Sequence, residues 1–377
     1  MTEPNRDVLT AVDLFCGAGG ISCGLERAGF KVLAGVDNEP AYLQSFEGNF
    51  PNAVSLSHDL SKVHAAEVME AIGVRKGSLD LLAGGPPCQG FSKNVPRKNR
   101  SLEDPKNQLV AAFLRFAEAS MPRFILMENV AEMQKGFSGA YTDLLLETLQ
   151  SKHLGYTVTH CVLDAPEFGI PQRRRRAFFL AARDGEPLAF PAPTHCKTKE
   201  SSDLFAAEAP VTVWEALGDL PTLEHGTGVS PCAYPTEPQN EFQRWARQGS
   251  EKIYNHVARK LQPIQFERLS SLEPGQGLRD LPEHLCVKSG YSGAYGRLTK
   301  SMIAPTITRW VFHPGSGRFG HPVEPRVITV REAARLQAFP DSFRFTGTYI
   351  QQSHQVGNAV PPLLAEKIGL ALISQAA

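Results

Sequence analysis

Apolar residues in the first half of the chain come in short runs separated by helical repeats. Residues 11–14 form one such run, and the glycine-rich segment FCGAGG follows at once. Ile21, Leu25 and Ala28 then fall on one face of a helix that Gly29 stops. Lys31–Asp37 (KVLAGVD) reads as a second strand, with Tyr42, Leu43 and Phe46 on the helix behind it, and a third strand ends at Asp59. Runs at 79–83 and 124–127 read as buried strands, the first closed by GGPPCQG and the second by ENV. Helical patterns near 107–120 and 140–153 follow them, and a further strand lies at 177–182. This alternation predicts an α/β fold, a doubly wound and mostly parallel sheet with helices on both faces. Ligands of such sheets bind at the carboxyl ends of the strands. Cys16, Asp37, Cys88 and Glu128 all fall there.

The rhythm stops after Arg183. From about 186 to 330 the chain is rich in Pro, Gly and polar residues, which predicts a smaller, irregular second domain. Helical patterns return at 331–339 and from about 360 to the end. The expected organisation is a catalytic and ligand-binding domain over 1–185, a second domain and hinge over 186–349, and a C-terminal segment, 350–377, that rejoins the first domain.

Charge sharpens this division. Lys plus Arg and Asp plus Glu balance at 39 each, so any nucleic-acid footprint must be local. Residues 177–242 carry 3 basic and 10 acidic side chains, whereas 243–330 carry 13 and 6. The latter stretch is either an ordinary solvated surface or a face turned to a polyanion. A composition of 42% hydrophobic and 21% charged residues over 377 positions excludes a disordered or collagen-like chain. Seven scattered cysteines without a CxxC pair point to a reducing compartment and away from a disulfide framework or a metal cluster. The charged N-terminus and the lack of an apolar run of about 18 residues predict a cytoplasmic protein with no membrane partner.

Several segments carry chemistry. A glycine-rich turn between strand and helix lets backbone approach a ligand, and Asp37 at the next strand end is placed to accept from a ribose diol. The dinucleotide fingerprint needs glycine where Ser22 stands, which disfavours a nicotinamide enzyme. Asp59 suits an adenine amino group and equally suits a helix N-cap. Cys88, held by two prolines on a stiff loop, is positioned as a nucleophile, whereas Cys161 and Cys286, among apolar neighbours, read as inert. Glu128 directly after a buried strand must be hydrogen-bonded or serve chemistry. In 172–176 (QRRRR), strand alternation puts Arg174 and Arg176 on one face, which the reading turns toward Glu128, and Arg173 and Arg175 on the other.

Taken in order, DLFCGAGG (13–20), GGPPCQGFS (84–92), MENV (127–130), QRRRR (172–176), REAARLQAFPD (331–341) and QVGNAVPP (355–362) resemble the DNA cytosine-5 methyltransferase family of bacterial modification systems. The resemblance spans nearly the whole chain and loosens across about 190–290. It implies a sheet that binds S-adenosyl-L-methionine, with Phe15, Gly17, Gly19, Gly20, Asp37, Asn38, Asp59, Leu109 and Asn358 at the cofactor; the family often has a bulkier side chain at the position of Asn38. It implies Cys88 as the nucleophile toward C6 of a flipped-out cytosine, Glu128 at N3 and the amino group, Arg176 steadying both, and Arg174 in support. It assigns 186–349 to target recognition and a closing role to the basic loop 93–100 (KNVPRKNR). Ser92, Asn94, Arg97 and Thr306 would then meet DNA. The implied partners are double-stranded DNA and a cognate restriction endonuclease, and the implied state is a monomer at the bacterial nucleoid. A tRNA-methylating relative would typically carry a Cys-Phe-Thr signature, which this chain lacks. A catalytically dead scaffold would have lost Cys88, Glu128 or Arg176, and all three are present.

Overall fold

The computed structural model describes residues 8–87, 108–134, 140–183, 185–196, 208–287 and 293–376. They form two compact units, one of Met1–Asp164, Arg175–Ala192 and Leu364–Ala377, the other of Ala165–Arg174 and Pro193–Leu363. These limits differ from the sequence reading in three places, the first being that the first unit runs on to Ala192 rather than 185. Residues 165–174 leave the first unit between two of its strands, and the C-terminal return comes at Leu364 rather than at 350.

The first unit is an α/β sheet. Its elements run β1 (Thr10–Leu14), α1 (Gly20–Ala28), β2 (Lys31–Asp37), α2 (Pro40–Asn49), β3 (Val54–Ser57), α3 (Ala65–Ala71), β4 (Leu81–Gly84), α4 (Gln108–Ser120), β5 (Phe124–Val130), α5 (Ala140–Leu149), β6 (Tyr156–Asp164) and β7 (Arg175–Arg183). The spatial order is β3-β2-β1-β4-β5-β7-β6. The first five strands are parallel, and β7 enters antiparallel between β5 and β6. Strand order reverses between β1 and β4, which makes their carboxyl ends the expected ligand crevice. The core is built from fully buried strand residues such as Val12, Leu82, Ile125 and Met127. Against them α4 packs Val110, Phe113, Leu114 and Ala117, an i, i+3, i+4, i+7 stripe.

Two elements escape the hydrophobic pattern. β6 has a mostly half-buried sequence, YTVTHCVLD, because it lies at the sheet edge, and an edge strand needs no continuous apolar run. In the second unit, Tyr349–Asn358 is a helix although its sequence is polar; the capping box of Thr348 and Gln351 starts it. Asn358 is the last residue of this helix. Residues 349–376 contain a window apolar enough in length and composition to cross a membrane, which the sequence reading did not find. That stretch is two helices, divided at Ala359–Pro361, and more than half of the window is buried.

The second unit has short helices, α6 (Val213–Leu217), α7 (Glu241–Arg247), α8 (Pro263–Ser270), α9 (Val330–Leu336) and α10 (Tyr349–Asn358); α11 (Pro362–Ala376) carries the chain into the first unit. Buried arginines hold its loops together. Arg331, wholly buried, donates to the carbonyls of Tyr254, Pro340 and Phe343. Arg335, one turn later, binds Asp341 at 2.6 Å and Asp219 at 3.0 Å, all three side chains being fully buried. Arg326 pairs with Glu332 at 2.7 Å. Burial alone would raise the carboxyls of Glu332 and Asp341, but their arginines hold both below the usual carboxylate range.

Breaking such a network by removing one partner strands the others in a dry interior. Arg335→Ala is therefore expected to lower the unfolding free energy by about 3–5 kcal/mol, whereas Arg244→Ala at the exposed face of α7 should change it by less than about 0.5 kcal/mol. Urea unfolding of the two variants checks this. Because the native carboxyls are depressed, their stabilisation is present above the unfolded value near pH 4 and is lost as pH falls below it.

Candidate active site

The glycine-rich turn after β1 is shaped by left-handed backbone. Phe15, Gly17 and Gly19 have φ of 57°, 55° and 99°. A Cβ on Gly19 would stand 2.3 Å from the Phe50 ring, so only glycine fits there. A Cβ on Gly17 would meet nothing within 4 Å, which leaves open space on that side of the turn. Asp37, at the end of β2, accepts from the Gly17 N–H at 2.9 Å and the Glu39 N–H at 3.0 Å. Burial raises its pKa, and the backbone donors only partly offset that.

Beneath this turn lies a second carboxylate that sequence reasoning passed over. Asp13 is wholly buried in β1 and accepts from the Ser22 N–H at 3.2 Å and its hydroxyl at 2.7 Å. Ser22, the residue that spoils the dinucleotide fingerprint, thus ties the first turn of α1 to the sheet. The other Asp13 oxygen has no hydrogen-bond partner. Burial lifts the Asp13 pKa to about 7, with the Ser22 bonds opposing and the charge of Asp37 adding. A ligand with a diol and a positive group suits this surround, since it would hold both carboxylates ionised.

The second half of the site stands at the ends of β4 and β5. In the β5–β7 ladder Glu128 faces Phe178 and Val130 faces Arg176, so Glu128 and Arg176 are diagonal neighbours on one face. Their side chains meet, Arg176 Nε to Glu128 Oε1 at 2.9 Å, with 19% and 12% of each exposed. Gly85 lies beside the pair, a Cβ there standing 3.3 Å from Glu128 Oε2. Asn129, for which the sequence analysis has no role, anchors the neighbouring loop. Its Nδ2 donates to the Pro86 carbonyl at 3.0 Å and its Oδ1 accepts from Val130 N–H at 2.8 Å, pinning the proline loop to β5. Cys88 follows Gly85 by three residues. Cys88, Ser92, Asn94 and Arg97, with the whole of 93–100, lie outside the described residues.

Other expected site residues take varied places. Gly20 opens α1, Leu109 is half-buried in the first turn of α4, and Asn38 is exposed beside Asp37. Asp59 lies beyond β3, two residues past its end, and its carboxylate is already engaged by Ser61 and by Lys62 at 2.8 Å. Those bonds lower its pKa to about 2, Lys62 contributing most. Asn358 is exposed at the end of α10, in the second unit. Arg174 is buried as alternation requires, yet it precedes β7 and belongs to the second unit, where it donates to the carbonyls of Ile307 (3.2 Å) and Ala359 (2.9 Å). It clasps the chain on either side of α10. The Thr306 hydroxyl donates to the Arg173 carbonyl at 2.5 Å. Cys161 is half-buried with its thiol pushed up to about 11 by burial, while Cys286 is exposed, contrary to the apolar surroundings expected from its neighbours in sequence.

Asp13 gives a pH test with a definite sign. Folded, it keeps its proton to about pH 7; unfolded, it releases it near 3.8. The native state therefore holds the extra proton between those values, so the contribution to stability falls as pH rises through that window and is lost in full above it. Relative to the parent, Asp13→Asn is expected to gain up to about 4 kcal/mol from pH 4 to 7. Urea unfolding of both proteins across that range reads the difference, and a constant gap contradicts it.

Comparison with known proteins places nearly the whole chain in one family. The profile of the C-5 cytosine-specific DNA methylases matches residues 9–374. The chain is 32% identical to the Type II methyltransferase M.AgeI of Thalassovita gelatinovora, over 97% of this chain and 100% of that protein. It is 36% identical to M1.HphI of Haemophilus parahaemolyticus, over 97% and 87%. Among solved structures, a DNA modification methyltransferase encoded within an E. coli prophage superposes with a TM-score of 0.77 at 27% identity, covering 98% of this chain and 99% of that one. The S. pombe Dnmt2 methyltransferase shares the fold, with a TM-score of 0.58 at 18% identity over 98% and 99%. The chain belongs to the C-5 cytosine-specific DNA methylase family.

Proposed function

We propose that this enzyme moves a methyl group from S-adenosylmethionine to C5 of a cytosine in duplex DNA at a defined sequence, through a covalent bond between Cys88 and C6. The observation that carries this is the Glu128–Arg176 pair beside Gly85, on the loop that leads to Cys88. A shielded carboxylate with a fixed guanidinium matches the amidine edge of cytosine, N3 and the exocyclic amine; adenine offers the same pattern at N1 and its amine, and membership of the cytosine-specific family favours cytosine.

The residues divide the work. The Cys88 thiolate adds to C6, and Glu128 holds a proton at N3 so that the ring accepts the electron pair. Arg176 keeps the carboxylate aimed, and Asn129 keeps the proline loop in place. S-adenosylmethionine, when bound, supplies an electrophilic sulfonium methyl for the electron-rich C5. Loss of the C5 proton to a base then expels the Cys88 sulfur and restores the ring. The turn residues Phe15, Gly17, Gly19 and Gly20, with Asp37 for the ribose hydroxyls and Asn38, Leu109 and Asn358 around it, would hold the cofactor. Asp59 would serve the adenine amine only by sharing a carboxylate now bound to Ser61 and Lys62.

A base inside a duplex must be extruded for this chemistry, at a cost of a few kcal/mol. Loop 93–100, with Ser92, Asn94 and Arg97, would close over the extruded base, and Thr306 would meet the backbone near it. The second unit would read the flanking sequence. The Type II names of the relatives support a restriction endonuclease as functional counterpart, in a bacterial cytoplasm. The enzyme would work there as a monomer.

Transfer of labelled methyl to mixed-sequence duplex DNA, with total tRNA as a parallel arm, tests the reading. Label is expected in DNA alone, at C5 of cytosine within one sequence context. Cys88→Ala should abolish transfer while DNA and cofactor binding persist, and Glu128→Gln should slow it about 10²–10⁴-fold. Turnover retained by Cys88→Ala, or label confined to tRNA, overturns it.

A further inference from the structure

We propose that Trp310 and Arg309 form a contact surface for the DNA substrate, the indole packing on an exposed base or sugar and the guanidinium taking a backbone phosphate. The proposal rests on the methyltransferase reading above and adds two residues that no motif of the sequence singled out.

Trp310 is 46% exposed, and it is the one aromatic among the large hydrophobic residues exposed in the described chain. It is not a loose side chain. Its carbonyl accepts from His313 N–H at 2.9 Å and from the Ser316 hydroxyl at 2.6 Å, and the neighbouring Val311 N–H donates to Thr308 at 3.1 Å. The ring leans edge-on against His354, 5.4 Å between centroids, and against Phe312 at 5.7 Å. Behind it, the backbone of Thr308 and Arg309 presses on Gly357 of α10, where a Cβ would stand 2.2 Å from both. An indole fixed in this way and still open to solvent is preorganised, so that binding costs little ordering.

Arg309 supplies the charge. Its guanidinium carbon lies 5.0 Å from the Trp310 ring centroid. Among the described residues its side chain makes no hydrogen bond or ion pair, whereas those of Arg259, Arg297 and Arg318 are engaged. Arg297 and Arg318 spend their guanidinia on carbonyls, and Arg259 donates to Phe312 O at 3.1 Å. The sequence has no Asp or Glu from 284 to 323, so nothing along that stretch competes for a free guanidinium. An arginine stacked on an exposed aromatic is a pairing that serves nucleic acid, the ring for a base face and the cation for phosphate. A concavity of about 640 Å³ elsewhere in the same unit has Glu224 and Glu324 in its lining and is a poor seat for a polyanion.

Titration of the full-length enzyme with a mixed-sequence duplex, followed by indole fluorescence at several salt concentrations, tests this. Wild type should show quenching on binding that Trp310→Phe largely loses. Trp310→Ala should weaken DNA affinity about tenfold or more, and raise KM for DNA with kcat nearly unchanged. Arg309→Ala should reduce the slope of log K against log salt by about one. Arg75→Ala, an exposed arginine of the first unit, should alter none of these. Should Trp310→Ala lower the thermal midpoint, the Trp310→Phe quench and the Arg309→Ala slope decide. Wild-type binding with unchanged affinity, quench and slope in the variants overturns the surface. Failure of the wild type to bind DNA or methylate it overturns the methyltransferase reading, and the surface with it.

Discussion

An ion pair at the end of a buried strand is the constraint on which the proposed active site depends. Glu128 sits where β5 leaves the core, and an unpaired carboxylate there would be expelled or protonated. The antiparallel entry of β7 beside β5 supplies Arg176 on the same face at 2.9 Å. The one antiparallel neighbour of an otherwise parallel row is thus what makes a carboxylate tenable at that position. The same strand end carries Asn129, which fixes the Pro86 carbonyl and so sets where the following loop can begin. Charge, register and loop position are one arrangement.

Across the strand reversal, the turn after β1 follows a similar logic with carboxylates lacking a cation. Asp13 and Asp37 are both pushed up by burial, and among the described residues their donors are Ser22 for the first and the Gly17, Asn38 and Glu39 N–H groups for the second. Two carboxyls short of positive charge suit a cationic, hydroxyl-bearing ligand, such as the S-adenosylmethionine proposed above. The glycine turn supplies the room: Gly19 is closed against Phe50, whereas Gly17 opens to space.

Much of this was legible in the sequence, for stated reasons. Buried parallel strands give continuous apolar runs, so β1, β2, β4 and β5 announce themselves, and the residues just past them are where ligands bind. Alternation correctly separated buried Arg174 from exposed Arg173 and Arg175. It did not reveal that Arg174 turns to carbonyls of the second unit, because strand periodicity says nothing about where a strand begins. β6 was hidden by its place at the edge, α10 by its polar sequence, and Asp13 by looking like part of a motif when its carboxylate lies under the turn. REAAR reads in the sequence only as a helical pattern and part of a motif, with no sign that Arg331, Glu332 and Arg335 are all fully buried. Periodicity reports apolar burial only; buried ion pairs come from partners distant in sequence, such as Asp219.

The central claim is the covalent step at Cys88, and trapping it is the most direct test. A duplex whose target cytosine carries fluorine at C5 blocks the last step, since no proton can leave and the sulfur stays bound. Incubation with S-adenosylmethionine, denaturation and peptide mass analysis then reads the adduct. The account predicts a stable protein–DNA complex joined at Cys88 and absent from Cys88→Ala. An active enzyme that forms no such complex, or one joined at another residue, contradicts it.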